Sequence, residues 1–200
     1  MGQAKVRGPY AKTAARRAEI IRAARDSFAE RGYASASLRD IAERAGITYP
    51  GLLHHFRNKE ELLTAVLAQR DTEEWERGNR QVDRPEEFAP YLGEVLQQHQ
   101  NRPELMRLWV ELAAAASRSD HPAHAYFVER FERGRTHMAQ GMRERAAEGK
   151  LRPGLDPARA ATLLQAMLNG LQIQWLLDPQ LDIVEALNEF LDLTKAPEGG

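Results

Sequence analysis

The chain has 200 residues, 42% of them hydrophobic, which is enough to bury a core as one medium domain or as a small domain joined to a larger one. It contains no cysteine, so disulfide frameworks, zinc fingers, iron–sulfur clusters and thiol redox sensing are excluded. The formal net charge of −1 hides an asymmetry: residues 1–60 carry 12 Lys/Arg against 6 Asp/Glu, while residues 61–200 carry 16 against 23, a basic module ahead of an acidic body. Such a division is expected when one end of a chain approaches a polyanion.

The N-terminal run MGQAKVRGPYAKTAARR is charged where a signal peptide would be apolar, and no stretch approaches the roughly 18 apolar residues of a membrane span. A soluble, cytoplasmic protein with no membrane partner is expected. Apolar spacing is helical nearly throughout and nowhere shows the strict alternation of a half-buried strand, so the fold class is all-α, with about nine helices. Residues 1–12, holding Gly2, Gly8 and Pro9, read as a flexible basic arm. Ile20, Ile21, Ala24 and Phe28 then form the stripe of a first helix ending at Gly32.

Ser37 followed by Asp40 is an N-cap with an acid at the third helical position, and Leu38, Ile41, Ala42 and Ala45 give the next short helix one buried side. Gly46 stops it. Thr48 can cap a third helix, in which Pro50 is tolerated because first-turn amides have no intrahelical partner; Leu52, Leu53 and Phe56 carry its apolar side. Asn58 with Glu61 repeats the capping pattern and opens a fourth helix through Leu62, Leu63, Val66 and Leu67, expected to run towards Trp75 and break at Gly78. The organisation expected is thus an arm over 1–12, a three-helix domain over 13–58, a linking helix over 59–78 and a larger helical domain over 79–200.

In that domain, helical periodicity recurs over Phe88–His99, Pro103–Ala116 and about Ala123–Glu148. Asp156-Pro157 and Asp178-Pro179 each place a capping acid before a proline, delimiting two closing helices. The first of these has apolar residues on more than one side. One side serves its own domain, and the other suits a second copy of the chain, with Leu164, Met167, Leu168, Leu171 and Trp175 expected at the seam.

The functional signal is the segment SLRDIAERAGITYPGLLHHF: a short capped helix, a Gly-containing turn and a second short helix, in the order of a helix-turn-helix. Ala42 and Ala45 are small where two helices cross, and Ile41, Ile47 and Leu52 can close a shared core. The N-terminal end of the second helix, Thr48, Tyr49, Pro50 and Gly51, is then free to enter a major groove.

Residues 37–62, SLRDIAERAGITYPGLLHHFRNKEEL, resemble nearly position by position the DNA-binding domain of the TetR family of bacterial regulators. The resemblance covers the first 70 or so residues; beyond them it extends only to helix count and length. It implies that Ser37, Thr48, His55 and Lys59 hold the phosphate backbone and that Arg39 and Tyr49 reach base edges, with Pro50 beside them. The chain departs from the pattern at Leu53, where many members carry tyrosine, so either His54 or His55 takes over part of that hydroxyl's grip or Leu53 simply packs. The histidine pair also has a plainer reading, with one imidazole on the helix core and the other in solvent. The resemblance further implies a homodimer on a palindromic duplex operator, released by a small-molecule effector, and calls for no cofactor, metal or catalytic residue.

Trp109, Phe127, Phe131, Met138 and Met142 have spacings that can converge on an apolar or cationic effector, although residues of these types at helical spacing also form plain cores. Gln165, Asn169 and Gln172 either orient a ligand, face solvent or bond across the seam. Two rival classes compete with the regulator. His121, His124 and His137 with nearby acids suggest a metal or acid/base site, but Pro122 interrupts the first pair and no nucleophile or phosphate-loop motif accompanies them. A membrane-surface or RNA-binding adaptor would need an apolar face on the arm or exposed aromatic platforms.

Overall fold

A computed structural model describes residues 9–69 and 88–197. Among these residues the fold is all-α: nine helices, with one isolated bridge between Leu151 and Lys195. The chain divides into two compact units, Met1–Asp71 and Thr72–Gly200. The linking helix expected over 59–78 is helical from 59 to 69, and its continuation past Trp75 to Gly78 lies outside the described residues.

The first unit holds α1 (Pro9–Ser35), α2 (Leu38–Arg44), α3 (Tyr49–His55) and α4 (59–69). Residues 9–12, assigned above to a flexible arm, belong to α1, with Pro9 at its start where its missing N–H costs nothing. Gly32 breaks α1 at φ 75°, a left-handed conformation that a Cβ would strain. Ile20, Ala24 and Phe28 of α1, Ile41 and Ala42 of α2, Leu52 of α3, its C-cap Phe56, and Leu62 of α4 are all buried. Two ion pairs fix α2 against α1: Arg44 bonds Glu30 through two nitrogens, one at 2.7 Å, and Arg31 reaches Asp40 at 2.9 Å. The Arg44 hydrogen bond holds the Glu30 carboxyl below its usual range.

The second unit contains α5 (Phe88–Gln100), α6 (Pro103–Ala115), α7 (His124–Ala147), α8 (Pro157–Leu177) and α9 (Ile183–Leu193). Its core joins Leu92 and Leu96 of α5, Met138 and Met142 of α7, Leu164, Leu168 and Leu171 of α8 and Ile183, Leu187 and Leu191 of α9. Asp156 caps α8 through the Arg159 amide at 2.8 Å, with Pro157 at the first position. Asp178-Pro179 does not open the last helix. Asp178 ends α8 and accepts from the Gln180 amide in the turn, whereas Asp182 caps α9 by accepting from both Val184 and Glu185.

Candidate nucleic-acid interface

α2 and α3 are only seven residues each, too short to persist alone, so their placement depends on caps and packing. Ser37 Oγ accepts from the Asp40 amide at 3.1 Å, and Thr48 Oγ1 accepts from the Gly51 amide at 3.2 Å. Between the helices, Gly46 at φ 67° donates to Glu43 O at 2.9 Å while Ile47 donates to Ala42 O at 3.0 Å, the paired bonds of a Schellman stop. Ile41 and Leu52 are fully buried where the helices cross, and Ile47 is half-buried. α4 opens on a cap in which Asn58 Oδ1 accepts from the Glu61 amide, while the Glu61 carboxylate reaches back to accept from the Arg57 amide, one residue before the cap.

Of the eight residues expected to face DNA, Ser37, Arg39, Thr48, Tyr49, Pro50 and His54 are exposed, and His55 and Lys59 are half-buried. The structure brings two of them into contact: the Arg39 guanidinium carbon stands 5.4 Å from the centre of the Tyr49 ring. His54 and His55 sit edge to face at 5.7 Å, so the half-buried imidazole of the pair is His55. Burial, then the neighbouring His54, Arg17 and Arg16, lower the His55 pKa. Leu53 is half-buried, an apolar contact where a tyrosine would carry a hydroxyl.

Lys59 is already engaged within its own unit. Its Nζ donates to Ala34 O at 2.9 Å and stands 4.7 Å from the centre of the Tyr33 ring, and burial lowers its pKa. An ammonium has three donors, which leaves capacity for a phosphate. Arg17, not singled out from the sequence, donates to His55 O at 3.1 Å and lies 4.1 Å over the Phe56 ring. Its partner His55 is 38 positions away, with Phe56 next to it, so no local pattern announces it.

In the second unit, Trp109, Phe127 and Phe131 do converge: ring centres lie 4.7 Å apart for Trp109 and Phe127 and 5.7 Å for Phe127 and Phe131. Arg130 covers Trp109 at 4.5 Å. Met138 and Met142 do not join them, because they are packed into the core against α5, α8 and α9. Gln165 Oε1 is buried with no hydrogen-bond partner among the described residues, and it presses on Gly134, where a Cβ would come within 2.7 Å. Asn169 is half-buried and Gln172 is buried.

The residues expected at the seam are mostly enclosed. Leu164, Leu168 and Leu171 are enclosed in their own core and have little surface left for a partner, and Met167 and Trp175 pack partly against the same core. The apolar side chains left outside on α8 are Leu163, Ile173 and Leu177, 56%, 45% and 82% exposed, with Leu193 of α9 at 67%. His121 Nδ1 accepts from the Ala123 amide and His124 Nδ1 bonds Ala116 O at 2.8 Å, so both rings close the turn between α6 and α7. Among the described residues, no three His, Cys, Asp or Glu side chains gather as metal ligands, and no helix is long and apolar enough to cross a membrane.

Residues 20–66 match the profile of bacterial regulatory proteins of the tetR family, and residues 86–194 match the BetI-type transcriptional repressor C-terminal domain. The HTH-type transcriptional regulator UidR of Escherichia coli K12 is 30% identical over 158 residues, 77% of this chain and 78% of UidR. The chain belongs to the TetR family. Its members are transcriptional regulators, and the helix-turn-helix described above is the DNA-binding element of this TetR-family chain. The transcriptional repressor KstR2 of Mycolicibacterium smegmatis is 44% identical over 62 residues, 31% of this chain but only 29% of KstR2. Among solved structures, the complex of SmeT with triclosan matches with a TM-score of 0.77 at 24% identity, covering 92% of this chain and 93% of SmeT. SmeT is the repressor of a Stenotrophomonas maltophilia multidrug efflux pump. That likeness supports the fold of this TetR-family chain across both units.

Proposed function

We propose that the chain is a homodimeric repressor that binds a palindromic operator and is released by a small molecule, acting in the cytoplasm by binding and not by catalysis. The observation that carries this reading is the exposed end of α3, where Tyr49 and Arg39 stand together between two capping hydroxyls. Arg39 suits the O6 and N7 acceptors of a guanine, with Tyr49 restricting its rotamers and meeting a neighbouring thymine methyl. Ser37 and Thr48 already accept from the Asp40 and Gly51 amides, so what each has left for a phosphate oxygen is its O–H donor. Lys59, His55 and His54 complete the backbone grip, and Pro50 shapes the approach.

The second copy docks on the outer side of α8. Leu163, Ala166, Gly170, Ile173 and Leu177 recur at intervals of three and four, and the space around Gly170 is open to a facing helix. Recognition helices in a two-fold dimer must stand about 34–36 Å apart, or a multiple of it, to enter successive grooves. A ligand that prefers another spacing weakens binding by its differential affinity for the two forms.

The effector site is the face of α7 and α8 where Gln165 meets Gly134, one turn along α7 from Phe131 and so beside the Trp109 cluster, with Asn169 one turn further along α8. A buried, unpartnered acceptor beside aromatic rings suits an apolar aromatic molecule bearing one N–H or O–H donor. Protection mapping of the DNA flanking the chain's own gene, repeated with phenolic and amine ligands, tests the whole reading. A protected palindrome that is lost on adding one ligand supports it; absence of any sequence preference over random duplex refutes it.

A further inference from the structure

We propose that Arg17 is a positioning residue of the recognition helix: it fixes the angle at which Tyr49 and Arg39 meet DNA and does not itself bind a phosphate. The inference rests on the regulator reading above. α3 spans Tyr49–His55, and its N-terminal end is secured by the Thr48 cap and by Leu52. At the other end the last carbonyls of any helix lack intrahelical partners. One of them, His55 O, receives Arg17 Nη1 at 3.1 Å from α1. The same guanidinium lies 4.1 Å over the ring of Phe56, the fully buried C-cap that ends α3 in an extended conformation at φ −143°.

A single planar group thus ties α1 to the end of α3 through a hydrogen bond and a stacked face, and its charge suits the negative end of the helix dipole. Seven residues at about 1.5 Å each make a lever of roughly 10 Å, so releasing one end by about 10° moves the other by nearly 2 Å. That displacement is several times the width, about half an ångström, of the 2.7–3.2 Å range within which a hydrogen bond to a base edge survives. Lysine keeps the charge but supplies neither the plane nor the fork.

The competing role for an exposed arginine here is a phosphate contact, and Arg17→Lys separates the two. With full-length protein, operator duplexes are first selected from a random library by the wild type, and affinity for operator and random duplex is then measured across a salt series. Positioning predicts that Arg17→Lys and Arg17→Gln each lose about tenfold in operator affinity, with random-duplex affinity and salt slope unchanged. A phosphate contact predicts near-complete rescue by lysine and, for Arg17→Gln, equal losses on both duplexes with a slope reduced by about one; that result overturns the proposal.

Hydrogen exchange without DNA supplies a second reading. The Phe56 amide, bonded to Leu52 O at 2.9 Å, should exchange about tenfold faster in Arg17→Lys while that of Ala45, the C-cap of α2, is unchanged. Unaltered exchange at Phe56 overturns the proposal even if Arg17→Gln fails to fold. Failure of the wild type to select any duplex sinks the regulator reading, whereas success with an unaffected Arg17→Lys sinks this inference alone.

Discussion

Replacing Leu177 by arginine should leave each chain folded but separate the two copies. Leu177 is 82% exposed, so nearly all its surface is available to a partner and almost none supports its own core. Full burial of a leucine contributes about 1.5–3 kcal/mol; scaled by that exposure and counted on both protomers, the lost contribution is about 2.5–5 kcal/mol. At about 1.4 kcal/mol per decade, the dimer weakens by roughly two to four orders of magnitude, before the cost of bringing two guanidinium groups towards one seam. Sedimentation across a concentration series, paired with thermal melts, reads both quantities. Ile173→Arg, at 45% exposure, should act in the same direction by a smaller amount. Leu171→Arg is the contrast: at 7% exposure it places a charge in the second unit's own core, and loss of folding is expected. Folded Leu177→Arg and Ile173→Arg chains that still pair at wild-type concentrations would remove the outer side of α8 from the interface.

Further outcomes follow from the same contacts. Arg39→Ala and Tyr49→Ala should relax preference at adjoining operator positions, and the double variant should lose less affinity than the two single losses combined, because each supports the other's placement; strict additivity in a double-mutant cycle would mean the 5.4 Å contact does not operate on DNA. Lys59→Ala should reduce the salt slope by about one and lower the melting temperature slightly, since the bond to Ala34 O is lost with the phosphate contact; an unchanged slope would confine Lys59 to its structural role. His55 has a folded pKa below its ordinary 6.5, so the stability it contributes is present above pH 6.5 and lost as pH falls through the lowered folded value; calorimetry of His55→Gln should show a flatter acid limb than the wild type. A phosphate beside that ring favours its charged form, so operator affinity should also rise on acidification in the wild type and not in the variant. Gln165→Leu should raise the stability of the free protein by about 1 kcal/mol, by removing a buried unpartnered acceptor, and weaken effector release of DNA; destabilisation would mean that the oxygen is satisfied in solution.

The helix-turn-helix was legible because its determinants are local. Ser37, Thr48 and Asn58 each act on an amide three residues ahead, and Gly46 stops α2 within the span of one turn. Asp178-Pro179 misled for a related reason: an acid before a proline fits a turn as well as a helix start, and the Val184 and Glu185 amides went to Asp182. α8 was harder. It carries two apolar stripes one residue out of register, and composition cannot say which stripe the chain keeps for itself. The answer depends on α5, α7 and α9, which bury Leu164, Leu168 and Leu171 and leave Leu163, Ile173 and Leu177 outside. The same limit separated Met138 and Met142, which entered the core, from Phe127 and Phe131, which joined Trp109.

Four of the residues proposed to face DNA hold a position within the fold before any phosphate arrives. Ser37 and Thr48 are caps, Lys59 anchors the start of α4 to the end of α1, and the His55 carbonyl is the point at which Arg17 holds α3. Side chains already ordered by intramolecular bonds lose little further rotamer freedom on binding, which lowers the entropic cost of the complex. They also make simple deletions ambiguous, because removing a cap frees its helix end as well as its phosphate donor. Thr48→Ser, which keeps the hydroxyl, should therefore preserve operator affinity, while Thr48→Ala should weaken operator binding and also loosen the Gly51 amide in the free protein. The two effects are separable only by measuring exchange without DNA alongside affinity with it, and that pairing of measurements is what the geometry of this site demands.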